Sequence, residues 1–283
     1  MPEVRASGGA RIRYDDVGRG EPALLLIPGW CTRRDLFEPL LPLCSARRRV
    51  LRVDLRGHGD SEQGPGDFDG GAILEDLLAV VEASGARQVV PVALSHAGFW
   101  ALELRRELGA ERVPRLVLLD WLVTEAPPTF LSTLHGLVSA NWRRAREDLF
   151  REWTSGVERE DLRRFIIDEM GGFPEEMWAR AGREIAAAYG REGSPLRALT
   201  GLSPATPTLH LYARPDTHDY LEAQVAFSAR HPWFHVTRLP AVSHFPILEV
   251  PALIAAVIES FVTGRHTAVR TGPDLDPGVS LPT

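Results

Sequence analysis

The feature that most constrains the fold of this chain is a series of short apolar runs that alternate with longer stretches of helical periodicity. Six mostly apolar runs have the length of strands: residues 23–27, 50–54, 89–94, 116–119, 208–212 and 234–239. Apolar residues at helical spacing occupy residues 71–84, 100–108 and 251–261. Apolar strands that alternate with helices are typical of a parallel sheet covered on both faces. The pattern therefore predicts an α/β fold with its functional site at the carboxyl ends of the strands.

One long segment without a strand pattern, residues 126–190, interrupts this alternation. Its helical periodicity, charge and aromatic content predict a cap of helices inserted between two strands of the sheet. We therefore predict a core in two parts, residues 1–125 and 191–263, with the helical cap between them. Residues 264–283 are rich in Gly, Pro and Thr, and we predict a flexible tail there.

The composition excludes several classes of function. The 283 residues include no lysine, which rules out mechanisms that need a Schiff-base lysine or a phosphate-loop lysine. The formal net charge of −6 argues against general nucleic-acid binding. The sequence has neither the Cys/His spacing of a zinc site nor a Gly-x-Gly-x-x-Gly dinucleotide pattern. We therefore expect no metal and no cofactor.

No apolar run has the length of a membrane span, and the first residues lack the apolar segment of a secretory signal. We predict a cytoplasmic protein that does not bind membranes. The sequence leaves its oligomeric state open between monomer and dimer.

The clearest candidate for a catalytic side chain is Ser95, which follows the run 89–94 and precedes a helical stretch. Ala93-Leu94-Ser95-His96-Ala97 is a variant of the G-x-S-x-G nucleophile elbow, with alanine at both glycine positions. Small residues are needed there because the strand and the helix approach closely around a strained turn. The alternative is a serine that caps a core helix and has no catalytic role.

A histidine lies where such a site requires one. His244 follows the last apolar run and precedes the last helical stretch, in the chain order of a nucleophile-elbow site. Considered alone, it is also consistent with a residue of a surface loop. We interpret the remaining histidines as structural or exposed, and we assign no catalytic role to His58.

Two acids compete to orient that histidine. Asp120 ends the run 116–119 and is followed by Trp121, so we expect its carboxylate to be buried. A buried carboxylate needs a partner, and an imidazole can be that partner. Asp216 follows the run 208–212, where most sites of this kind carry the acid, but its neighbours indicate an exposed turn. We therefore prefer Asp120.

Backbone donors are predicted from a further turn. Trp30 and Cys31 follow the first central strand, residues 23–27. The backbone N–H groups of this turn, Pro28-Gly29-Trp30-Cys31, are predicted to form an oxyanion hole together with that of His96 after the elbow serine.

Several short motifs extend this site over residues 23–260. They are Gly29-Trp30-Cys31, Ser95-His96, Leu119-Asp120-Trp121-Leu122, Gly182-Arg183, Tyr189-Gly190-Arg191, Gly193-Ser194-Pro195, His231-Pro232-Trp233-Phe234, His244-Phe245-Pro246 and Val250-Pro251. With these motifs the core resembles an α/β-hydrolase. More narrowly, the chain resembles the cofactor-independent 2,4-dioxygenases, which open 3-hydroxy-4-quinolone rings and release carbon monoxide.

The resemblance implies a mechanism. His244, oriented by Asp120, would be a general base that removes the 3-hydroxyl proton of a small aromatic enol substrate. The resulting anion would react with O2 without metal or flavin. Ser95 would hydrogen-bond the substrate, while the backbone N–H groups of Trp30 and His96 would stabilise the oxyanion.

The resemblance also implies substrate contacts from Trp30, Cys31 and Ser95. Trp153 and Trp178 of the predicted cap are candidates for flat aromatic walls, and packing within the cap is the alternative for both.

The chain departs from the family at three positions. Pro28, Thr32 and Leu94 stand where histidines can occur in the family, so the predicted pocket is less rich in imidazole. This difference leaves the substrate open, and a related heteroaromatic or polyketide-derived enol is an alternative.

Two other classes of function stay open. A serine hydrolase acting on an ester, lactone or amide would use the same residues as a Ser95-His244-Asp120 triad. A catalytically silent relative would only bind a ligand, although the complete set of catalytic residues argues against it.

Overall fold

The computed structural model describes residues 2–265, which are built on a sheet of eight strands. The strands are β1 Glu3–Arg5, β2 Arg11–Val17, β3 Ala23–Ile27, β4 Val50–Val53, β5 Val89–Leu94, β6 Leu116–Leu119, β7 Thr208–Tyr212 and β8 Phe234–Arg238. Their spatial order is β1-β2-β4-β3-β5-β6-β7-β8. Strands β3 to β8 pair in parallel, while β1 and β2 form an antiparallel edge.

The six predicted apolar runs form the parallel part of this sheet, which confirms the α/β class. Every residue of β3, β4, β5, β6 and β7 is buried, as expected of a sheet covered on both faces. Parallel strands end at the same edge of a sheet. The turns that follow β3, β5, β6 and β7 are therefore neighbours, and their side chains can meet.

The antiparallel edge was not predicted. In β2 the side chains of Ile12 and Tyr14 are buried, while Arg11 and Arg13 are half-buried. This alternation is the period-two signal of a strand with one buried face, and it could have identified β2 from the sequence.

Ten α-helices accompany the sheet within the described residues. They are α1 Leu41–Ser45, α2 Gly70–Ser84, α3 Gly98–Arg112, α4 Pro128–Leu137, α5 Trp142–Trp153, α6 Glu160–Arg164, α7 Glu175–Glu192, α8 Pro195–Thr200, α9 His218–Arg230 and α10 Pro251–Val262. The predicted helices at 71–84, 100–108 and 251–261 correspond to α2, α3 and α10. Local signals fix α2: the Asp69 side chain caps its first turn, and Gly85 ends it with a φ of 65°.

Helices α4 to α7, residues 128–192, lie between β6 and β7, where the sequence predicts a helical cap. Helices α4 and α7 approach closely at Gly182, where a Cβ atom would lie 2.5 Å from the carbonyl oxygen of Leu134. The predicted boundary at residue 190 falls inside α7. The helix continues because Gly190 keeps a helical conformation, and it ends before Gly193, whose φ is 75°.

Two further predictions concern the C-terminal residues and membrane-spanning segments. The predicted flexible tail, residues 264–283, lies outside the described residues from 266 onward. Within residues 2–265, no helix is both long enough and apolar enough to cross a membrane.

Candidate active site

Three turns with unusual backbone geometry lie beyond the ends of β3, β5 and β6. Within residues 2–265, the non-glycine residues with positive φ are Cys31 (57°), Ser95 (55°) and Asp120 (44°). Side chains rarely tolerate this conformation, and such strained residues are concentrated at functional sites. Ser95 therefore has the strained geometry that a nucleophile elbow requires.

Asp120 and His244 form a hydrogen-bonded pair at this edge of the sheet. The Nδ1 atom of His244 lies 2.7 Å from Oδ2 of Asp120, whose side chain is fully buried. The other carboxylate oxygen accepts the backbone N–H groups of Ala213, at 2.5 Å, and Arg214, at 2.9 Å. A carboxylate can only accept, so Nδ1 carries a proton and Nε2 is the nitrogen that can act as a base.

The competing acid lies elsewhere. The side chain of Asp216 is 53% exposed and pairs with Nη1 of Arg214 at 3.2 Å. The structure thus places His244 against Asp120, at the end of β6, and leaves Asp216 on the turn after β7.

The two residues predicted for the oxyanion hole contact each other. The backbone N–H of Trp30 donates to Nε2 of His96 at 3.3 Å, and the two rings stack with centroids 6.2 Å apart. Burial, followed by the nearby His244 and His58, lowers the pKa of His96 to about 3, so its ring is neutral and can accept. The sequence predicts only a backbone role for His96, and this contact of its side chain was not predicted. No local signal could have shown this contact, because it depends on how β3 and β5 pair.

His58 has a structural role, as the sequence predicts. Its Nδ1 lies 2.9 Å from the carbonyl oxygen of Arg56, and its Nε2 accepts the N–H of Cys31 at 3.0 Å. Burial lowers the pKa of His58 to about 4. The neutral ring therefore holds the turn after β3 in place. The side chain of Cys31 is fully buried and is not part of the cavity wall described below. The structure therefore gives no support to the predicted contact between Cys31 and the substrate.

A cavity of about 390 Å³ lies between the catalytic edge of the sheet and the cap. Its core side includes Gly29, Trp30, Thr32, Leu94, Ser95, His96, Asp120 and His244. Its cap side includes Thr129, Phe130, Thr133, Leu134, Leu137, Leu149, Trp153, Met170, Trp178, Ala181, Ile185 and Tyr189. Ser95, Asp120 and His244 therefore share one cavity, whose cap side is mostly apolar.

Both predicted tryptophan walls border this cavity. The ring of Trp153 stacks on the imidazole of His244, with centroids 5.1 Å apart and planes inclined by 16°. Trp178 is only 2% exposed and packs edge-on against Phe150 at 5.6 Å. Trp153 thus contacts the candidate base, whereas Trp178 belongs largely to the packing of the cap.

The charged groups near the cavity are few. Glu152, Arg214 and Asp216 border it together with the site residues. Among the described residues, no group of three or more His, Cys, Asp or Glu side chains is arranged to hold a metal ion.

The chain is similar in sequence to several known proteins. The model of the alpha/beta hydrolase family matches residues 24–257. The chain is 37% identical to the 2-heptyl-3-hydroxy-4-quinolone dioxygenase AqdC2 of Rhodococcus erythropolis, over 93% of this chain and 98% of that protein. It is 34% identical to the 1H-3-hydroxy-4-oxoquinoline 2,4-dioxygenase of Pseudomonas putida, over 90% of this chain and 97% of that protein.

Solved structures show the same similarity. AqdC, in a variant form bound to its substrate, the Pseudomonas quinolone signal, superposes with a TM-score of 0.88 at 33% identity. That match covers 93% of this chain and 99% of AqdC. The structure of 1H-3-hydroxy-4-oxoquinoline 2,4-dioxygenase gives a TM-score of 0.87 at 34% identity, over 93% of this chain and 100% of that one.

Proposed function

We propose a ring-cleaving dioxygenase reaction from one premise: this chain belongs to the α/β-hydrolase family and, within it, to the 3-hydroxy-4-quinolone 2,4-dioxygenases. The proposed substrate is a 3-hydroxy-4(1H)-quinolone, and the second substrate is O2. The observation that carries the proposal is the buried pair of Asp120 and His244 at the wall of the cavity. Base catalysis by this pair activates the organic substrate itself, so the proposed reaction uses no cofactor.

The first proposed step is a proton transfer. Nε2 of His244 takes the proton of the 3-hydroxyl group, as a general base. Asp120, at 2.7 Å from Nδ1, keeps the ring in the required tautomer and stabilises the imidazolium that forms. The product of this step is an electron-rich enolate.

The second stage consumes O2 and opens the ring. The enolate passes electrons to O2, and C2 of the substrate bonds to one oxygen, which gives a peroxide. The outer peroxide oxygen attacks C4. The O–O, C2–C3 and C3–C4 bonds then break, and C3 leaves with its own oxygen as carbon monoxide. Both atoms of O2 remain in the N-acylated 2-aminobenzoate product, and the proton on His244 passes to solvent.

Oxyanion stabilisation is proposed for the backbone N–H groups of Trp30 and His96, with a hydrogen bond from Ser95 to the substrate. In the structure, the N–H of Trp30 donates to His96 Nε2. A substrate oxygen would replace that nitrogen as the acceptor.

The apolar side of the cavity supports a substrate with an alkyl substituent. Leucine and methionine side chains from the cap line this side, including Leu134, Leu137, Leu149 and Met170. The relatives from Rhodococcus erythropolis act, by name, on a 2-heptyl quinolone. We therefore expect a 2-alkyl-3-hydroxy-4(1H)-quinolone to be turned over with a lower KM than the unsubstituted ring.

The test is an assay of purified protein treated with a chelator. Wild type is expected to consume O2 and to release carbon monoxide from a panel of 3-hydroxy-4(1H)-quinolones with and without 2-alkyl groups. A quinolone without the 3-hydroxyl group is the matched negative substrate, because it lacks the 3-hydroxyl proton and cannot form the enolate. Failure to consume O2 with every member of the panel would contradict the proposed class.

A serine hydrolase is the second candidate, and the positive φ of Ser95 favours it because this is the geometry of a hydrolase nucleophile. In that case the protein would cleave p-nitrophenyl esters through a Ser95-His244-Asp120 triad and would take up no O2. The same panel with added esters separates the dioxygenase from the hydrolase.

A cytoplasmic location and a monomeric or dimeric state stay predictions.

A further inference from the structure

Arg214 makes an unusual set of contacts around the candidate base. It lies two residues after the end of β7, and its side chain is 32% exposed. Its backbone N–H donates to Asp120 Oδ1 at 2.9 Å. Its Nε donates to the carbonyl oxygen of Val242 at 2.7 Å, and its Nη2 donates to that of Ser155 at 3.0 Å. Its Nη1 pairs with Asp216 at 3.2 Å.

Three of these four partners lead to His244, each by a different route. Asp120 holds the Nδ1 atom of the imidazole. Val242 lies two residues before His244 on the same loop. Ser155 lies two residues after Trp153, whose ring stacks on the imidazole. One side chain and its own backbone thus touch the acid, the loop that carries the base, and the cap segment that covers it.

The loop of His244 is also held from its other side. The carboxylate of Glu249 accepts the N–H of Val242 at 3.2 Å, the N–H of Ser243 at 2.9 Å and the hydroxyl of Ser243 at 2.6 Å. Glu249 therefore binds the N–H of Val242, while Arg214 binds its carbonyl oxygen. Hydrogen bonds to charged partners are stronger than those between neutral groups, so the backbone of Val242 has little freedom to shift.

The shape of the side chain explains why an arginine suits this position. The donors Nε, Nη1 and Nη2 of a guanidinium point in fixed, diverging directions. One side chain can therefore bind the His244 loop at Val242 and the cap segment at Ser155 while it also pairs with Asp216. A lysine at the same position has the charge, but its flexible ammonium cannot maintain all three contacts in one geometry.

We propose that Arg214 is a positioning residue: its side chain joins the His244 loop to the Trp153 segment of the cap, and its backbone N–H holds Asp120. This inference rests on the proposed function only through the role of His244 as the base. The turn after β7 then has a role in the site although Asp216 does not contact His244. Through Arg214, this turn holds the loop that carries His244.

The kinetic test compares Arg214→Met, Arg214→Lys and a matched control, Arg112→Met. Arg112 is 33% exposed, pairs with Glu82 and donates to the carbonyl oxygen of Ala86, so it resembles Arg214 in setting but lies outside the site. Loss of alignment by roughly an ångström costs up to about 100-fold in rate, so Arg214→Met is expected to lower kcat by about 10- to 100-fold with KM within about threefold. Arg214→Lys should recover part of kcat. The control should stay within about twofold of wild type.

A raised KM with an unchanged kcat would mean that Arg214 only contacts the substrate, and it would overturn the proposal. An equal loss in Arg112→Met would do the same. If Arg214→Met does not fold, Arg214→Lys is compared with Arg112→Met instead. A kcat equal to wild type in Arg214→Lys would then show that the three side-chain contacts of the guanidinium are not needed, and it would contradict the proposal.

A spectroscopic test does not depend on the proposed reaction. Proton NMR should show a downfield signal from Nδ1–H of His244 bonded to Asp120, assigned by its absence in His244→Ala. We expect this signal in wild type and Arg112→Met, and its loss or exchange broadening in Arg214→Met. An unchanged signal in Arg214→Met would refute the positioning role. If wild type lacks dioxygenase activity while the signal is still lost in Arg214→Met, the proposed function fails and the positioning role stands.

Discussion

At the scale of single residues, the proposed chemistry depends on which nitrogen of His244 carries a proton. Asp120 decides this, because its Oδ2 accepts from Nδ1 at 2.7 Å while its Oδ1 is already bonded to the N–H groups of Ala213 and Arg214. Two backbone donors fix the carboxylate, and the carboxylate fixes the imidazole. The orientation of the His244 ring is therefore set by a carboxylate that two backbone N–H groups hold in place.

Replacing this acid by its amide tests that arrangement. In Asp120→Asn, the amide oxygen would stay with the two backbone N–H groups, and its NH2 would face Nδ1. The imidazole would then carry its proton on Nε2 and could not accept another, so kcat should fall by about 100-fold or more. Asp216→Asn is the control and should stay within about threefold of wild type, because exposed ion pairs contribute little. Equal losses in the two variants would contradict the assignment of Asp120.

The role of Ser95 separates the two candidate functions. If the serine only hydrogen-bonds the substrate, Ser95→Ala should lower kcat/KM by about tenfold or less, which is the value of one hydrogen bond. If it is a nucleophile, the loss should approach about a million-fold. His244→Ala serves as the reference, with an expected loss of about 100- to 10,000-fold as the general base. A loss in Ser95→Ala as large as that in His244→Ala would favour the hydrolase, because a triad loses nearly all of its activity with either residue.

At the scale of secondary-structure elements, the site depends on the close approach of α3 to the turn after β6. A Cβ atom added to Gly98, the first residue of α3, would lie 2.2 Å from the ring of Trp121. Trp121 is 1% exposed and directly follows Asp120. Position 98 therefore needs a glycine, because the ring of Trp121 packs against it. This one contact joins the start of α3, just after Ser95, to the turn that carries Asp120.

A small side chain at this position should be costly. Gly98→Ala is expected to lower the free energy of unfolding by about 1–3 kcal/mol, because Trp121 must move in a packed core. Gly190→Ala is the matched control, since Gly190 lies within α7 with no atom near a prospective Cβ. That change should raise stability by about 0.5–1 kcal/mol through helix propensity. Urea unfolding measures both, and a Gly98→Ala protein as stable as wild type would disprove the packing argument.

The elements also show what a sequence can predict. The parallel strands were identified because a buried strand needs apolar residues throughout, and the ends of those strands led to Ser95, Asp120 and His244. Features that depend on long-range packing were not accessible. The contact of Arg214 with Ser155 joins residues 59 positions apart, and the hydrogen bond of Trp30 to His96 joins residues 66 apart. No local pattern encodes either pair.

At the scale of the whole molecule, several buried histidines are neutral members of the fold. Burial lowers the pKa of His58 to about 4, that of His96 to about 3 and that of His210 to about 4, from an ordinary 6.5. His210 lies in β7, where it accepts the N–H of Trp121 at 3.3 Å and contacts Gln224 at 2.5 Å. These rings have to stay uncharged for the native contacts to persist.

This predicts a characteristic loss of stability in weak acid. Between pH 6.5 and about 4 the unfolded chain binds more protons than the folded one, so the free energy of unfolding should fall as the pH falls through this window. His210→Gln should flatten that dependence. His218→Gln should not change it, because His218 is 78% exposed. Chemical denaturation at a series of pH values measures the slope, and a wild-type stability that does not change over this range would contradict the neutral histidines.

The central claim, that the oxygen atoms added to the product come from O2 and that C3 leaves as carbon monoxide, can be measured directly by isotope labelling. The purified protein is supplied with a 2-alkyl-3-hydroxy-4(1H)-quinolone under oxygen-18 gas in ordinary water, and the products are analysed by mass spectrometry. We predict an N-acylated 2-aminobenzoate that contains both heavy atoms, with unlabelled carbon monoxide in equal amount. A product without label, or one that takes its oxygen from labelled water in the converse experiment, would contradict the dioxygenase and point to hydrolysis.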